Sequence, residues 1–448
     1  MPSMMEAFRR NVPDSGIEIV PVGDRTIPMM AYNNCTTLKE IYLPETLETI
    51  EEDAFKGCSS LNGVQIPEGV TKIGHRAFKD CSNLKRVSLP STLLEIGAGA
   101  FENCLSLEEV VIPPLVDQIN THTFAYCSAL KRATLPETIS VIGGAAFCNC
   151  HQLQTINIPN NDSLRIGEGA FTGCNALADP DGFIIVAGVL YGFEGTKDNI
   201  AIPKGVRKIG AQAFWGKRAI RNALLPEGLE EISFMAFDNC TLLESISLPK
   251  SLKRVDFDAF HNCGNLRTVN NLCGDICFGS GVFRDCVGLA NQKGFVIVGD
   301  VLYSYHGENI AVSIPSGIRA ISSYAFCRND QIEQLTIPEG VENIGLYSFS
   351  NMRRLKSVSF PSTLKTIDQN AFSECNELVS VILPNGLEAI RRGAFSLCRN
   401  LKSVVLPRSL RILDYDAFFD RRSILFRVAQ GSFAEKTVRE YGCKVEYL

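Results

Sequence analysis

Leu84-Lys-Arg-Val-Ser-Leu-Pro-Ser-Thr-Leu-Leu-Glu-Ile-Gly-Ala-Gly-Ala-Phe-Glu-Asn-Cys104 carries, in one stretch, every signal that decides the fold. Val87 and Leu89 alternate with the polar Arg86 and Ser88, the period-2 pattern of a half-buried strand, and Leu84 precedes them. Pro90 ends the strand because it has no N–H for a ladder. Leu93 and Ile96 are expected to point back inside, and Gly97 to permit a turn with positive φ. Ala100 and Phe101 follow, and Cys104 closes the unit before the next apolar run begins at Leu107.

The unit recurs. Prolines stand at 21, 44, 67, 90, 113, 136 and 159, then at 203, 226 and 249, then at 315, 338, 361, 384 and 407, and each step within a block is 23 residues. A fixed period of roughly 20–50 residues marks stacked supersecondary units, none of which can bury its apolar face alone. Phe101 is accordingly expected to stack on Phe78 and Phe124 of neighbouring coils. Counting from Pro21 gives sixteen units. One is degenerate, with Asn271-Leu272 where isoleucine-proline belongs, yet its Phe283 and Cys286 stay in phase.

Of the 17 cysteines, twelve lie three residues after the repeat's aromatic: Cys35, Cys58, Cys81, Cys104, Cys127, Cys150, Cys174, Cys240, Cys263, Cys286, Cys375 and Cys398. Asn329 and Met352 take that slot elsewhere, so pairing is not required there. Cysteine behaves as a small buried hydrophobe, and a reduced, buried ladder suits a cytosolic compartment.

The pattern L-x-x-V-x-L-P-x-x-L-x-x-I-G-x-x-A-F-x-x-C resembles the BspA-type leucine-rich repeat, found in bacterial surface proteins and in many protist proteins; it runs from about residue 20 to 448. The resemblance implies a repeat solenoid: a right-handed coil with one β-strand per repeat, joined by short turns or helices. After Cys174 and again after Cys286 the next lattice proline stands 29 residues on where 9 is usual, 20 extra each time. These inserts are copies, Gly182-Phe-Ile-Ile-Val-Ala-Gly-Val-Leu-Tyr191 aligning with Gly294-Phe-Val-Ile-Val-Gly-Asp-Val-Leu-Tyr303. Both read as β-hairpins turning at Ala187-Gly188 and Gly299-Asp300, either modules that extend the sheet or binding protrusions. Ser432 to Gly442 has helical character with a Ser N-cap and a Gly C-cap, and a last strand follows, similar to the helix-strand cap of the family. The expected layout is a partial repeat at 1–19, a solenoid at 20–429 with insertions near 178–199 and 290–311, and a cap at 430–448.

Hydrophobic residues make up 45% and charged residues 21%, a folded and not a disordered composition. Net charge is −5 with no long Lys/Arg run, which argues against a nucleic-acid partner. The first ten residues lack an apolar core for a secretory signal, and no apolar stretch approaches the roughly 18 residues of a membrane span. The C-terminus shows neither a hydrophobic tail nor a lipidation motif. A cytoplasmic monomer is the expectation; because the sequence opens at Ala7-Phe8 as if inside a repeat, an incomplete N-terminus would instead allow a surface or secreted protein.

Chemistry is sparse. His75, His122, His151, His261 and His306 occupy different lattice phases and do not stack into a common site. Cys148-Asn-Cys150-His151 has ligand types close together, but zinc needs four converging ligands and Cys150 belongs to the inward ladder. Cys273 and Cys277, in the degenerate unit, are the other place for a disulfide or metal, against an irregular coil packed by small residues. Gly274, Gly279 and Gly281 do not open a helix after a strand, and no Ser-His-acid set sits on a nucleophile elbow. Sequons at Asn34, Asn161 and Asn239 matter only in a secreted protein. Neither an enzyme nor a cofactor is expected.

Two columns of strand residues, two and four before each proline, face outward. Ordered apolar side chains there are candidate anchors, because interface energy concentrates on a few desolvated residues. The candidate partner-binding residues are Tyr42, Arg86, Val111, Arg132, Leu224, Ile382 and Val405. The expected function is a non-catalytic scaffold that binds a protein through this sheet face, with a surface adhesin for extracellular protein or glycan as the alternative.

Overall fold

Leu84, Leu93, Ile96, Ala100, Phe101 and Cys104 are all fully buried, so each coil wraps its apolar residues around one interior. A computed structural model describes residues 10, 12–159, 164–272, 276–418 and 421–448. It comprises two compact units, residues 1–196 with 205–213 and residues 197–204 with 214–448. In both, a coil has a long arm, as at Arg86–Ser88, and a two-residue short arm, as at Glu95–Ile96. Coils pair in parallel with a shift of one repeat: Gly63 lies opposite Arg86, and Ile73 opposite Ile96. Leu93 N–H closes the turn onto the Pro90 carbonyl.

Gly97 does not adopt the positive φ expected of it. That conformation falls instead on Gly99 (φ 63°) and Asn103 (φ 62°). Gly97 is needed for close approach: a Cβ there would come within 2.5 Å of the Gly74 and His75 backbone in the coil beneath. The slot of Asn103, two after the aromatic, is left-handed in coil after coil and holds Asn34, Asp80, Asn149, Asn239, Asn262 and Asp285. Asn and Asp tolerate that region best among residues with a Cβ, which accounts for the recurrent Asn-Cys pair.

The aromatics form the spine of the core. Tyr32, Phe55, Phe78, Phe101, Phe124, Phe147 and Phe171 stack with centroids 4.9–5.5 Å apart and planes within 15°. Beside them, eleven of the ladder thiols donate to an aromatic's carbonyl in the neighbouring coil, Cys104 Sγ to Phe78 O at 3.2 Å being typical. Cysteine therefore fills the volume of a small hydrophobe and satisfies a buried acceptor as well. Burial pushes Cys127, Cys174 and Cys240 up to about 12, so these thiols stay protonated and unreactive.

Each insert is a hairpin: Phe183–Val186 pairs antiparallel with Val189–Phe193, and Phe295–Val298 with Val301–Tyr305. Ala187 and Gly188 both take positive φ (48° and 75°), as a type I′ turn requires. The second strand of each pairs in parallel with the next short arm, Lys208–Ile209 or Ala320–Ile321. The inserts thus extend the short-arm sheet, away from the long-arm face. Tyr191 and Tyr303 meet the aromatic stacks edge-on, at 77° to Phe171 and 89° to Phe283. Each hairpin supplies one turn beyond the sixteen read from the prolines, giving about 18 among the described residues. At the end, helix Phe433–Glu440 is capped by Ser432, whose hydroxyl accepts from Glu435 N–H, and Gly442 follows it with φ 71°. Strand Lys444–Tyr447 then pairs with Leu425–Val428.

Candidate partner-binding face

In the first unit the long arms Glu40–Tyr42, Gly63–Gln65, Arg86–Ser88, Glu109–Val111 and Arg132–Thr134 turn their first and third residues to solvent, while the middle residue turns inward. The pairing is not continuous. Gly63–Gln65 and Arg86–Ser88 form one ladder, and Glu109–Val111 begins another. At that opening Leu89 is only half-buried, whereas its counterparts Ile66 and Ile112 are 3% exposed. Gly63 adds no side chain to the face. A groove of about 960 Å³ results, and Lys85, Arg86, Leu89, Val111, Pro113 and Pro136 are among the residues that line it.

The structure therefore brings Arg86 and Val111 together. Tyr42 lines an adjoining groove of about 350 Å³ with Gln65. Arg132 is exposed and faces Glu109 at 3.8 Å, outside the main groove's lining. Leu224, Ile382 and Val405 belong to the second unit. Leu224 is 65% exposed between Ala201 and Ser247, on a face where Asn222 donates to Asn199 and Ser245 to Asn222. Ile382 is exposed on an edge strand, but its register partner Val405, flanked on the other side by Arg427, is half-buried. Lys85, five before Pro90, was in neither column read from the sequence, although Lys39 and Lys131 repeat the slot.

The cysteine-histidine motif does not converge. Cys150 Sγ donates to Phe124 O, and His151 Nδ1 lies 2.9 Å from Gly173 O. Among the described residues no group of three or more His, Cys, Asp or Glu could hold a metal ion. Cys277 is exposed; Cys273 and the Asn161 sequon lie outside the described residues. The Asn239 side-chain amide donates to Asp238 and accepts from Asn262.

A polar network in the second unit escaped the sequence reading. Trp215, Asp238, His261 and Arg284 occupy the slot after the aromatic in successive coils. Trp215 Nε1 donates to Asp238, His261 lies 2.8 Å from Asp238 and 3.2 Å from Asp285, and Arg284 reaches Asp258 at 2.8 Å. Burial opposes the charged His261 ring and the Arg284 charge does too, but the hydrogen bonds that the ring donates to the Asp285 and Asp238 carboxylates outweigh both and raise its pKa. With the folded value above the unfolded one of about 6.5, this contribution to stability is complete below that pH and is lost as pH rises through the folded value. Thermal melts from pH 5.5 to 8.5 should show wild type losing more stability with rising pH than His261→Gln. Parallel curves would exclude the coupling, and the comparison cancels any contribution from His306.

The family described as BspA type Leucine rich repeat region (6 copies) matches residues 17–131, 48–178, 190–293 and 297–425. The chain belongs to the BspA-type leucine-rich repeat family. Proteins of this repeat type are in general non-enzymatic scaffolds. Among solved structures similar to this BspA-type protein, a leucine-rich repeat protein from Bacteroides ovatus is 23% identical, covering 94% of each chain, with a TM-score of 0.38. A leucine rich cell surface protein from Faecalibacterium prausnitzii is 24% identical over 84% of this chain and 90% of its own, with a TM-score of 0.38. A leucine-rich repeat protein from Eubacterium ventriosum is 17% identical over 92% and 94%, with a TM-score of 0.39. Comparison with curated proteins finds no match. Among the described residues of this BspA-type chain, no helix is long and apolar enough to cross a membrane.

Proposed function

We propose that this BspA-type protein is a non-catalytic scaffold that binds a protein partner on the long-arm sheet face of its first unit. The supporting observation is the groove of about 960 Å³ that opens beside Arg86 and Val111. Its walls are ladder-held strands over a packed core, so little ordering entropy is lost when a partner docks. Val111, 57% exposed, and Tyr42, 56% exposed, are large apolar side chains already fixed in place, the kind on which interface energy concentrates.

Affinity enrichment from native lysate tests the reading. Wild type is run beside Tyr42→Ser/Val111→Ser and beside Leu224→Ser, each checked for intact folding by circular dichroism. A partner captured by wild type and by Leu224→Ser but lost from the double variant is the expected result. A partner retained equally by all three moves the site off this face and overturns the proposal.

A further inference from the structure

We infer that the groove takes an extended peptide segment bearing a carboxylate side chain and, two residues away, an apolar one. This rests on the scaffold reading and specifies the chemistry of its partner. The charges lining the groove differ in how they are used. Glu68 accepts from the Ser91 N–H and hydroxyl at 3.1 and 3.0 Å. Glu108 and Glu109 face Lys131 at 3.4 Å and Arg132 at 3.8 Å. Every carboxylate that lines the groove is thus engaged. Lys85 and Arg86 line it too, and among the described residues neither has an ion-pair partner or a side-chain hydrogen bond. An incoming cation meets only occupied carboxylates; an incoming carboxylate meets two free cations.

Apolar residues line the same groove. Val111 is exposed and Leu89 half-exposed where the ladder opens, beside Pro113 and Pro136. Along a strand, side chains on one face recur every second residue, about 6.6 Å apart. Arg86 and Ser88, like Glu109 and Val111, are related in that way. A ligand strand running along them has the same spacing. Its carboxylate over Arg86 therefore places a side chain two residues away level with the Ser88–Val111 row, where Val111 is the apolar contact. A hydrogen-bonded carboxylate-guanidinium contact is stronger than a neutral one, so the acid gives selectivity and the apolar residue gives buried area.

Fluorescence polarisation on the full chain tests this with a labelled peptide, Ser-Gly-Glu-Ser-Leu-Ser-Gly-Ser, and its Gln and Lys counterparts at the Glu position. The Glu peptide should bind about tenfold more tightly than the Gln peptide, and the Lys peptide more weakly still. The preference should shrink with added salt and vanish in Lys85→Gln/Arg86→Gln, while Val111→Ser weakens Glu and Gln peptides alike. The inference is overturned if the Glu peptide fails to bind at millimolar concentration, if Glu and Gln peptides bind equally, or if the preference survives in the double variant. Should it fail while Tyr42→Ser/Val111→Ser still loses its captured partner, the ligand chemistry is wrong and the scaffold stands. Failure of both removes the scaffold as well.

Discussion

Replacing Phe101 by alanine should destabilise the first unit by about 3–5 kcal/mol, the range for deleting a fully buried aromatic. Phe101 is 0% exposed and sits between Phe78 at 5.3 Å and Phe124 at 5.5 Å, so truncation leaves a cavity and breaks two stacked contacts together. A coil touches only its neighbours, so nothing distant compensates. Urea unfolding followed by far-ultraviolet circular dichroism checks this, with Phe234→Ala as the control. Phe234 also stacks on a neighbour, Phe257 at 5.8 Å, but is 39% exposed, and its loss should cost about 1 kcal/mol or less. Equal costs for the two variants would mean that the inner column is not the spine of the core. A broadened or two-step transition for Phe101→Ala would show the array dividing at the weakened coil.

That column was legible because it follows from spacing alone. A 23-residue step carries Phe78 to Phe101 and Phe124 in the sequence, and the same step sets the register in which Gly63 meets Arg86. The ladder cysteines and the hairpin copies were legible for the same reason. Misreadings arose where a slot's meaning depends on the neighbouring coil. Gly97 looked like a residue that frees φ, but its constraint is the Gly74 backbone beneath it. Val405 and Ile382 share a lattice slot and differ in exposure because Val405 has the long Arg427 side chain as its other register neighbour, whereas Ile382 lies on the sheet's edge. The groove depends on where ladder pairing stops, and no residue type at Leu89 announces that. The His261 network was half legible: Trp215, Asp238, His261 and Arg284 recur at the repeat period, but Asp258 and Asp285 come from other slots and meet them only in space.

Arg284→Met should cost about 3–5 kcal/mol, the usual penalty for stripping the partner from a buried charge. Asp258 is 1% exposed, and Arg284 holds it with Nη2 at 2.8 Å and Nε at 3.4 Å. Gly281 leaves room for this carboxylate, since any Cβ there would collide with Asp258 Oδ1. Burial already raises the Asp258 pKa despite Arg284, and without the guanidinium it should rise further. A carboxyl group whose folded pKa exceeds its unfolded value binds protons more tightly when folded, so stability falls as pH climbs through that window. The defect of Arg284→Met should therefore be smaller near pH 5 than at pH 8. Asp258→Asn/Arg284→Met should recover most of the loss, because asparagine is neutral and suits the φ of 53° at that position. Chemical denaturation at both pH values separates the cases. A double variant no more stable than Arg284→Met would place the cost in lost packing over Tyr324, 5.3 Å from the guanidinium, and not in an uncompensated charge.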